Sequence, residues 1–299
     1  VKYEKALFLF NGNAGNKDLK QKLAQTLPIL TQSIKKLIIM QTETLEEVKN
    51  CCIEYASDVD IIIIMGGDGT VHECMNSIAN LEIRPVIAIL PAGTCNDFGR
   101  MLQMPQNLNQ AAEAIINGEI IPVDLGKTDE RYFLNFWGIG LVSDTSLNID
   151  ETQKKSLGVL SYFMSTIKTV NQTEPFSYKI KTVEETYEGE AVMILVLNGR
   201  YIGTKQLPIP SINPNDGLLD VLIVKNSSLA SFKELLTLDR PNNRLDPLTE
   251  LNYFQVKELT IATTANKAID MDGEINGTTP SEITILPSHI RMVKKNTGL

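Results

Sequence analysis

The segment richest in chemistry runs Ile61-Ile62-Ile63-Ile64-Met65 into Gly66-Gly67-Asp68-Gly69-Thr70 and on into a helical stretch, Val71–Asn80. Three glycines let the backbone come close to an anion, and a helix opening near Thr70 would aim unpaired N–H groups and a partial positive charge at it. Taken alone, such a turn reads as a tight strand-to-helix connection with no ligand. The chain carries no G-x-x-x-x-G-K-[ST], and His72 stands where a third dinucleotide-fold glycine would follow Gly67 and Gly69. Neither a Walker site nor a dinucleotide site is indicated. Asp68 is the odd member, because a carboxylate beside phosphate oxygens repels them unless a divalent cation stands between. The loop itself therefore implies magnesium.

Two more glycine-bearing loops fall at the C-terminal ends of apolar runs, where ligands bind in open α/β sheets. They are Asn11-Gly12-Asn13-Ala14-Gly15 and Pro91-Ala92-Gly93-Thr94-Cys95-Asn96-Asp97. Each alone is a plain turn, but three on one edge of one sheet point to a shared nucleotide site. Downstream, Asn215-Asp216-Gly217-Leu218-Leu219-Asp220 precedes an apolar run and Asp270-Met271-Asp272-Gly273-Glu274 follows one. A hairpin turn accounts for either, since Asp-Gly is a common turn pair. Asp272 and Glu274 nevertheless alternate across Gly273 in a way that could direct both carboxylates into a cleft. A carboxylate within reach of a hydroxyl is what phosphoryl transfer asks of a base.

Elements must hold these groups in place, and the chain's texture changes near Ile121. Before it, apolar runs at Ala6–Phe10, Lys36–Met40, Ile61–Met65 and Val86–Leu90 alternate with helical stretches at Asp18–Gln32, Leu45–Ala56, Val71–Asn80 and Ala111–Asn117. That rhythm is a parallel α/β sheet. After it, β-rich runs at Tyr132–Trp137, Phe176–Thr182, Ala191–Leu197, Leu219–Val224, Leu259–Thr263 and Ile283–Leu286 predict a mostly antiparallel second domain. Its turns are placed at Glu188-Gly189, Asn198-Gly199, Asp216-Gly217 and Asn276-Gly277, and two helices at Leu157–Val170 and Ser228–Leu238.

Composition narrows the function. With 28 Lys and Arg against 36 Asp and Glu the net charge is −8, which argues against tracking nucleic-acid phosphates. The four cysteines, Cys51, Cys52, Cys74 and Cys95, lack zinc spacing and a disulfide framework, and read as reduced, mostly buried thiols. No apolar run approaches the ~18–20 residues of a spanning helix, and the start of the chain lacks a secretion signal, so a cytoplasmic protein is expected.

Taken together, these residues resemble the diacylglycerol kinase catalytic-domain family, specifically the soluble bacterial lipid kinases. Gly66-Gly67-Asp68-Gly69-Thr70 with Glu73 is similar to that family's G-G-D-G-T-x-N-E, Gly93–Arg100 to its G-T-x-N-D-F-x-R, and Asp272-Gly273-Glu274 to its late D-G-E. The resemblance implies an N-terminal α/β nucleotide-binding domain, residues 1–122 joined by 288–299, and a C-terminal antiparallel β-sandwich, residues 123–287. It implies transfer of the γ-phosphoryl group of ATP to diacylglycerol, giving phosphatidic acid, with Mg2+ as cofactor. ATP contacts would come from Asn11, Gly12, Asn13, Ala14, Gly15, Thr42, Gly66, Gly67, Asp68, Gly69, Thr70, Val71, His72, Thr94, Asn96 and Asp97. Glu274 would accept the proton of the lipid hydroxyl, supported by Asp272, while Asp68 helps hold the catalytic magnesium. A second, structural magnesium would take the Asp216 side chain and the carbonyls of Asn213 and Leu218.

The chain departs from the family where N-P-x-S-G is replaced by Asn11–Gly15, where Cys95 replaces a frequent Gly, and where His72 replaces the common Asn, as it does in the sphingosine kinase branch. Phosphorylation of a sphingoid base is therefore an alternative, as is phosphorylation of NAD, since NAD kinases also resemble Gly66 to Thr70, and a catalytically idle nucleotide sensor using the same loops is a third. Diacylglycerol lies in a bilayer, so a transient peripheral contact with the inner membrane face is expected. Lys154, Lys155, Lys168, Lys179, Lys181, Arg240 and Arg244 are its candidate residues, although a solvated face is the plainer reading of these charges. Trp137 and Phe163 are candidates for an acyl cleft, with core burial the plainer reading. A homodimer is left open.

Overall fold

The computed structural model describes residues 2–12, 19–129, 131–148, 174–237 and 249–296. The chain divides into two compact units, Val1–Val123 with Ser288–Leu299, and Asp124–Pro287.

In the first unit the order is β1 (Tyr3–Asn11), α1 (Leu19–Ser33), β2 (Ile34–Thr42), α2 (Leu45–Tyr55), β3 (Ile61–Gly66), α3 (Asp68–Ile78), β4 (Val86–Pro91), α4 (Asp97–Met101) and α5 (Leu108–Asn117). The strands lie parallel in the order β2-β1-β3-β4, with Met292 of the last strand of the chain opposite Ile87. Parallel neighbours need crossovers, which the helices supply. Helices on both faces bury the central strands completely, which is why Ile61 to Ile64 can all be apolar. Thr44 caps α2 by accepting the Glu47 N–H, and Glu47 Oε2 accepts the Glu43 N–H in return. Cys51, Cys52 and Cys74 are buried, and the hydrogen bond with Cys52, together with burial, holds the Cys74 thiol well above its ordinary value.

A strand shared in sequence between the units, β5 (Glu119–Thr128), leads into the second. There follow β6 (Arg131–Phe133), β7 (Phe136–Gly140), α6 (Leu141–Asn148), β8 (Phe176–Lys181), β9 (Thr186–Ala191), β10 (Met193–Leu197), β11 (Tyr201–Ile202), β12 (Lys205–Gln206), β13 (Leu219–Val224), α7 (Leu229–Thr237), β14 (Leu251–Val256), β15 (Glu258–Thr263), β16 (Ala268–Met271), β17 (Glu274–Thr278) and β18 (Ser281–Lys294). One antiparallel sheet runs β14-β13-β10-β7-β16-β17. The first residues of β18 pair with β15, which pairs with β8 and then β9. Trp137, Ile194 and Val221 from the first sheet pack against Ile180, Ile261 and Ile283 from the second, so the unit is a β-sandwich. The outer face of the first sheet is covered by Leu141 and Val142 of α6, Leu235 of α7 and the loop residues Leu207, Ile209 and Ile212. Trp137 is core, not cleft.

Several boundaries differ from the expectation for local reasons. The run Tyr132–Trp137 is two strands, because the backbone N–H groups of Leu134, Asn135 and Phe136 all donate to the Asp272 carboxylate. Gly189 lies inside β9, and the turn before it is made at Thr182, whose hydroxyl accepts the N–H groups of Glu184 and Glu185. Asn276 and Gly277 lie inside β17, with Gly277 at φ +90. Ile283–Leu286 extends to a fourteen-residue strand. Gly126 sits in β5 with the Phe133 ring packed where a Cβ would stand. The expected helix Leu157–Val170 lies outside the described residues, as do Lys154, Lys155, Phe163, Lys168, Arg240 and Arg244.

Candidate functional site

In the first unit, three loops leave the C-terminal ends of β1, β3 and β4. The glycine loop passes from β3 into α3, and Gly67 is the residue before its first turn, with Thr70 and Val71 donating back to the Gly67 carbonyl at 3.1 Å. Asp68 opens the helix. Its carboxylate accepts the Asn96 N–H on one oxygen and the Asp97 N–H on the other, each at 2.7 Å. Two loops separated in sequence by two elements, α3 and β4, are thereby tied through one side chain. Their backbones also touch: a Cβ on Gly93 would run into Gly67. Asn96 holds the left-handed conformation, φ 53, that this loop demands, and its side chain bonds both the N–H and the C=O of Gly93.

Ligand atoms of Asp68, Asp97 and Cys95 lie within 4.8 Å of one another. The two carboxylates suit a hard cation such as Mg2+, and the Cys95 sulfur does not. Beside them a cleft of about 500 Å³ is lined by Lys22, Gly93, Thr94, Asn96, Arg100 and Gln106 among others. The cationic Lys22 and Arg100, with exposed backbone at Gly93 and Thr94, make it a polar cleft suited to an anionic ligand.

Thr42 is buried at the end of β2 with its hydroxyl donating to the Phe10 carbonyl at 3.3 Å. Val71 and His72 are buried in α3, where the imidazole lies 3.2 Å from the Asn76 amide. The side chains of Thr42, Val71 and His72 thus face protein, as does that of Asn96, which leaves Thr94 as the exposed side chain of its loop. Asn11 is half-buried and Gly12 is buried, while Asn13, Ala14 and Gly15 lie outside the described residues.

In the second unit two acidic turns are built differently. Asp272 and Gly273 are the two corner residues between β16 and β17, at φ 55 and φ 94, the mirror-image turn that suits a hairpin. The Asp272 carboxylate collects three backbone N–H groups at 2.8–3.0 Å, and Asp270 accepts the Gly273 N–H at 2.8 Å. Both aspartates hold the turn, and Glu274 projects from its exposed end. At the other turn, Asp216 accepts the Leu218 N–H at 3.0 Å, and the buried Asp124 accepts the Gly217 N–H at 2.7 Å. Desolvation, then the Asp124 charge, raises the Asp216 carboxyl above its ordinary value. Asp220, two residues on, is pushed up to about 6, chiefly by burial and further by Asp216, with Tyr253 and Gln255 bonding one oxygen. Its other oxygen is buried with no partner. Carboxylates crowded by mutual repulsion have the donor chemistry that a hard cation neutralises, and Asp216, Asp124 and Asp220 supply it at this turn. Asp124 escaped the sequence reading. Its signal was a lone carboxylate within the apolar run Ile120–Leu125.

Comparison with known proteins follows the same division. Residues 5–128 match the diacylglycerol kinase catalytic domain, and residues 140–294 match the YegS C-terminal NAD kinase beta sandwich-like domain. Proteins of Staphylococcus aureus strains JH9 and N315, each named "Putative lipid kinase", are 32% identical over 99% of this chain and 98% of theirs. A crystal structure from Bacillus anthracis described as "a putative diacylglycerol kinase" is 41% identical, with a TM-score of 0.90 over 100% of this chain and 98% of that one. A second structure from that organism, described as a diacylglycerol kinase, is 38% identical with a TM-score of 0.86 over the whole of both chains.

Proposed function

Because the chain belongs to the lipid kinase family built on the diacylglycerol kinase catalytic domain, we propose that it transfers the γ-phosphoryl group of ATP to the hydroxyl of diacylglycerol, giving phosphatidic acid. The observation that carries this reading is the Asp68 clamp, in which a carboxylate at the start of the glycine-loop helix binds two N–H groups of the second loop and lies close to Asp97. A site meant only to grip an anion has no use for that negative charge, whereas a magnesium–nucleotide site does. Asp68 with Asp97 would hold magnesium, which would supply positive charge to neutralise the phosphates of the nucleotide. The backbone of Gly66 to Thr70 and of Gly93 to Thr94 fixes the phosphates, and Lys22 and Arg100 add positive charge at the cleft.

Glu274 accepts the proton from the lipid hydroxyl as its oxygen attacks the γ-phosphorus and the bond to the β,γ-bridging oxygen breaks, releasing ADP. Asp272 acts through Glu274 by fixing the turn. The reaction takes place at the inner membrane face during a transient surface contact.

The test is product analysis with labelled ATP and diacylglycerol in mixed micelles, with sphingosine and NAD as parallel acceptors. Phosphatidic acid is the expected product, and Glu274→Gln is expected to keep ATP binding while losing turnover by about 10² or more. Transfer to sphingosine or NAD in preference reassigns the acceptor. ATP binding without transfer to any of the three would make the chain a sensor and end the kinase reading.

A further inference from the structure

We propose that Gln106 is a positioning residue for the nucleotide, acting through Asn96, an inference that rests on the magnesium–nucleotide reading of the two loops. Asn96 is the point of the second loop most in need of support. It is 5% exposed and takes φ 53, a left-handed backbone that a residue with a side chain keeps only where its surroundings hold it. Its N–H is one of the two that the Asp68 carboxylate accepts, at 2.7 Å. Were Asn96 to turn to a right-handed or extended conformation, that N–H would leave the carboxylate and the Asp97 N–H would swing away with it. Whatever fixes the Asn96 side chain therefore fixes the clamp between the two loops.

The Asn96 amide has an acceptor oxygen and two N–H donors to satisfy. Oδ1 accepts the Gly93 N–H at 2.9 Å, and Nδ2 donates to the Gly93 carbonyl at 3.0 Å. The second donor of Nδ2 goes to Gln106 Oε1 at 3.1 Å. Gly93, Asn96 and Asp97 belong to one loop, whereas Gln106 lies beyond α4 and outside the motif stretch Gly93–Arg100. Its own backbone is held from both sides: Pro105 fixes the turn before it, and Asn107 caps α5 by accepting the Gln110 N–H at 3.1 Å. The orientation of its amide is also dictated. Turned over, Nε2 would face Nδ2, donor against donor; as placed, Nε2 points to the Met104 carbonyl at 3.4 Å. Gln106 is exposed and lines the polar cleft with Gly93 and Thr94, so removing its acceptor spares the core and loosens the loop.

The test is binding of magnesium–ATP to the full chain by calorimetry, beside steady-state kinetics and hydrogen exchange. Gln106→Leu keeps a side chain of similar bulk and removes its acceptor. It is expected to raise the Kd and KM for ATP about three- to tenfold, to leave the KM for diacylglycerol and the melting temperature unchanged, and to speed exchange of the Asn96 and Asp97 N–H groups. A residue that only stabilised the unit would do the reverse, lowering the melting temperature and leaving ATP affinity alone. Asn96→Gly takes the left-handed conformation without the amide, so in that background Gln106→Leu should have no further effect on ATP binding. Additive effects would mean that Gln106 touches the nucleotide itself, and equal affinity in the parent and Gln106→Leu would mean that its bond to Asn96 has no consequence; either overturns the proposal. A parent chain that binds no magnesium–ATP would overturn the nucleotide reading, and this inference with it.

Discussion

A carboxylate can serve a site through its charge or through the N–H groups it gathers, and Asp272 does the second. Replacing it with alanine leaves the N–H groups of Leu134, Asn135 and Phe136 without their acceptor, which costs about 1–3 kcal/mol for those that stay buried. The expected kinetic signature of Asp272→Ala is a fall in kcat of about 10² with little change in the KM for ATP, because the phosphate loops belong to the other unit. Steady-state assays with ATP as the varied substrate, beside chemical denaturation, separate these effects. At the Asp216 turn the expected readout is thermal. Magnesium should raise the melting temperature of the parent chain by up to the equivalent of about 2.7 kcal/mol at a hundredfold excess over its dissociation constant, and Asp216→Asn should abolish the shift. The carboxylates at these turns were legible from sequence because Asp-Gly pairs announce tight corners. What they bond was not, since Leu134 to Phe136 lie more than a hundred residues from Asp272. His72 shows the same gap, for a motif position gives a residue's address and the burial of α3 decides what its side chain can touch.

Elements join through close approaches that one atom can disturb. Gly93→Ala drives a Cβ into the Gly67 backbone, and neither loop can yield without breaking the bonds from Asn96 and Asp97 to Asp68. Overpacking of this kind costs about 1–3 kcal/mol, and the expected result is a raised KM for ATP with a lowered melting temperature. A second junction depends on pH. Glu234 of α7 accepts hydrogen bonds from the Thr249 N–H and hydroxyl and from the N–H groups of Glu250 and Leu251, fastening the helix to the start of β14. Burial alone would raise its carboxyl, but these bonds outweigh that and hold it below its ordinary value. A depressed folded value means the stabilisation is present above the unfolded value and is lost as pH falls through the folded one. Unfolding experiments between about pH 3 and 7 should therefore show Glu234→Gln less stable than the parent near neutrality and equal to it in acid. The α/β rhythm of the first unit was legible because buried parallel strands are continuous apolar runs. In the second unit β5 and β14 were missed, since Pro122 and Gly126 interrupt one and Asn252 and Gln255 dilute the other.

At the scale of the whole molecule, β18 decides what can be separated. Its first residues pair with β15 in the sandwich, and its last belong to the α/β unit, where Met292 lies against Ile87. The sequence showed only Ile283–Leu286 as a strand, because beyond Pro287 the run Ser-His-Ile-Arg-Met-Val mixes charge with apolar residues. Burial resolves the mixture: Ile290, Met292 and Val293 are within the core of the first unit, while Arg84 bonds the His289 carbonyl and Lys295 donates to Leu102. Burial of three such side chains contributes about 5–9 kcal/mol, comparable to the whole stability of an ordinary domain. A chain ending at Pro287 should therefore lose cooperative unfolding of the α/β unit and its ATP binding, while the sandwich keeps every residue of its own. Adding residues 288–299 back as a separate peptide should restore ATP binding in part, because strand pairing and burial of those three side chains need no covalent link. Calorimetry that still showed the native transition of the α/β unit in the truncated chain would mean that this final segment is an ornament on the sheet and not one of its members.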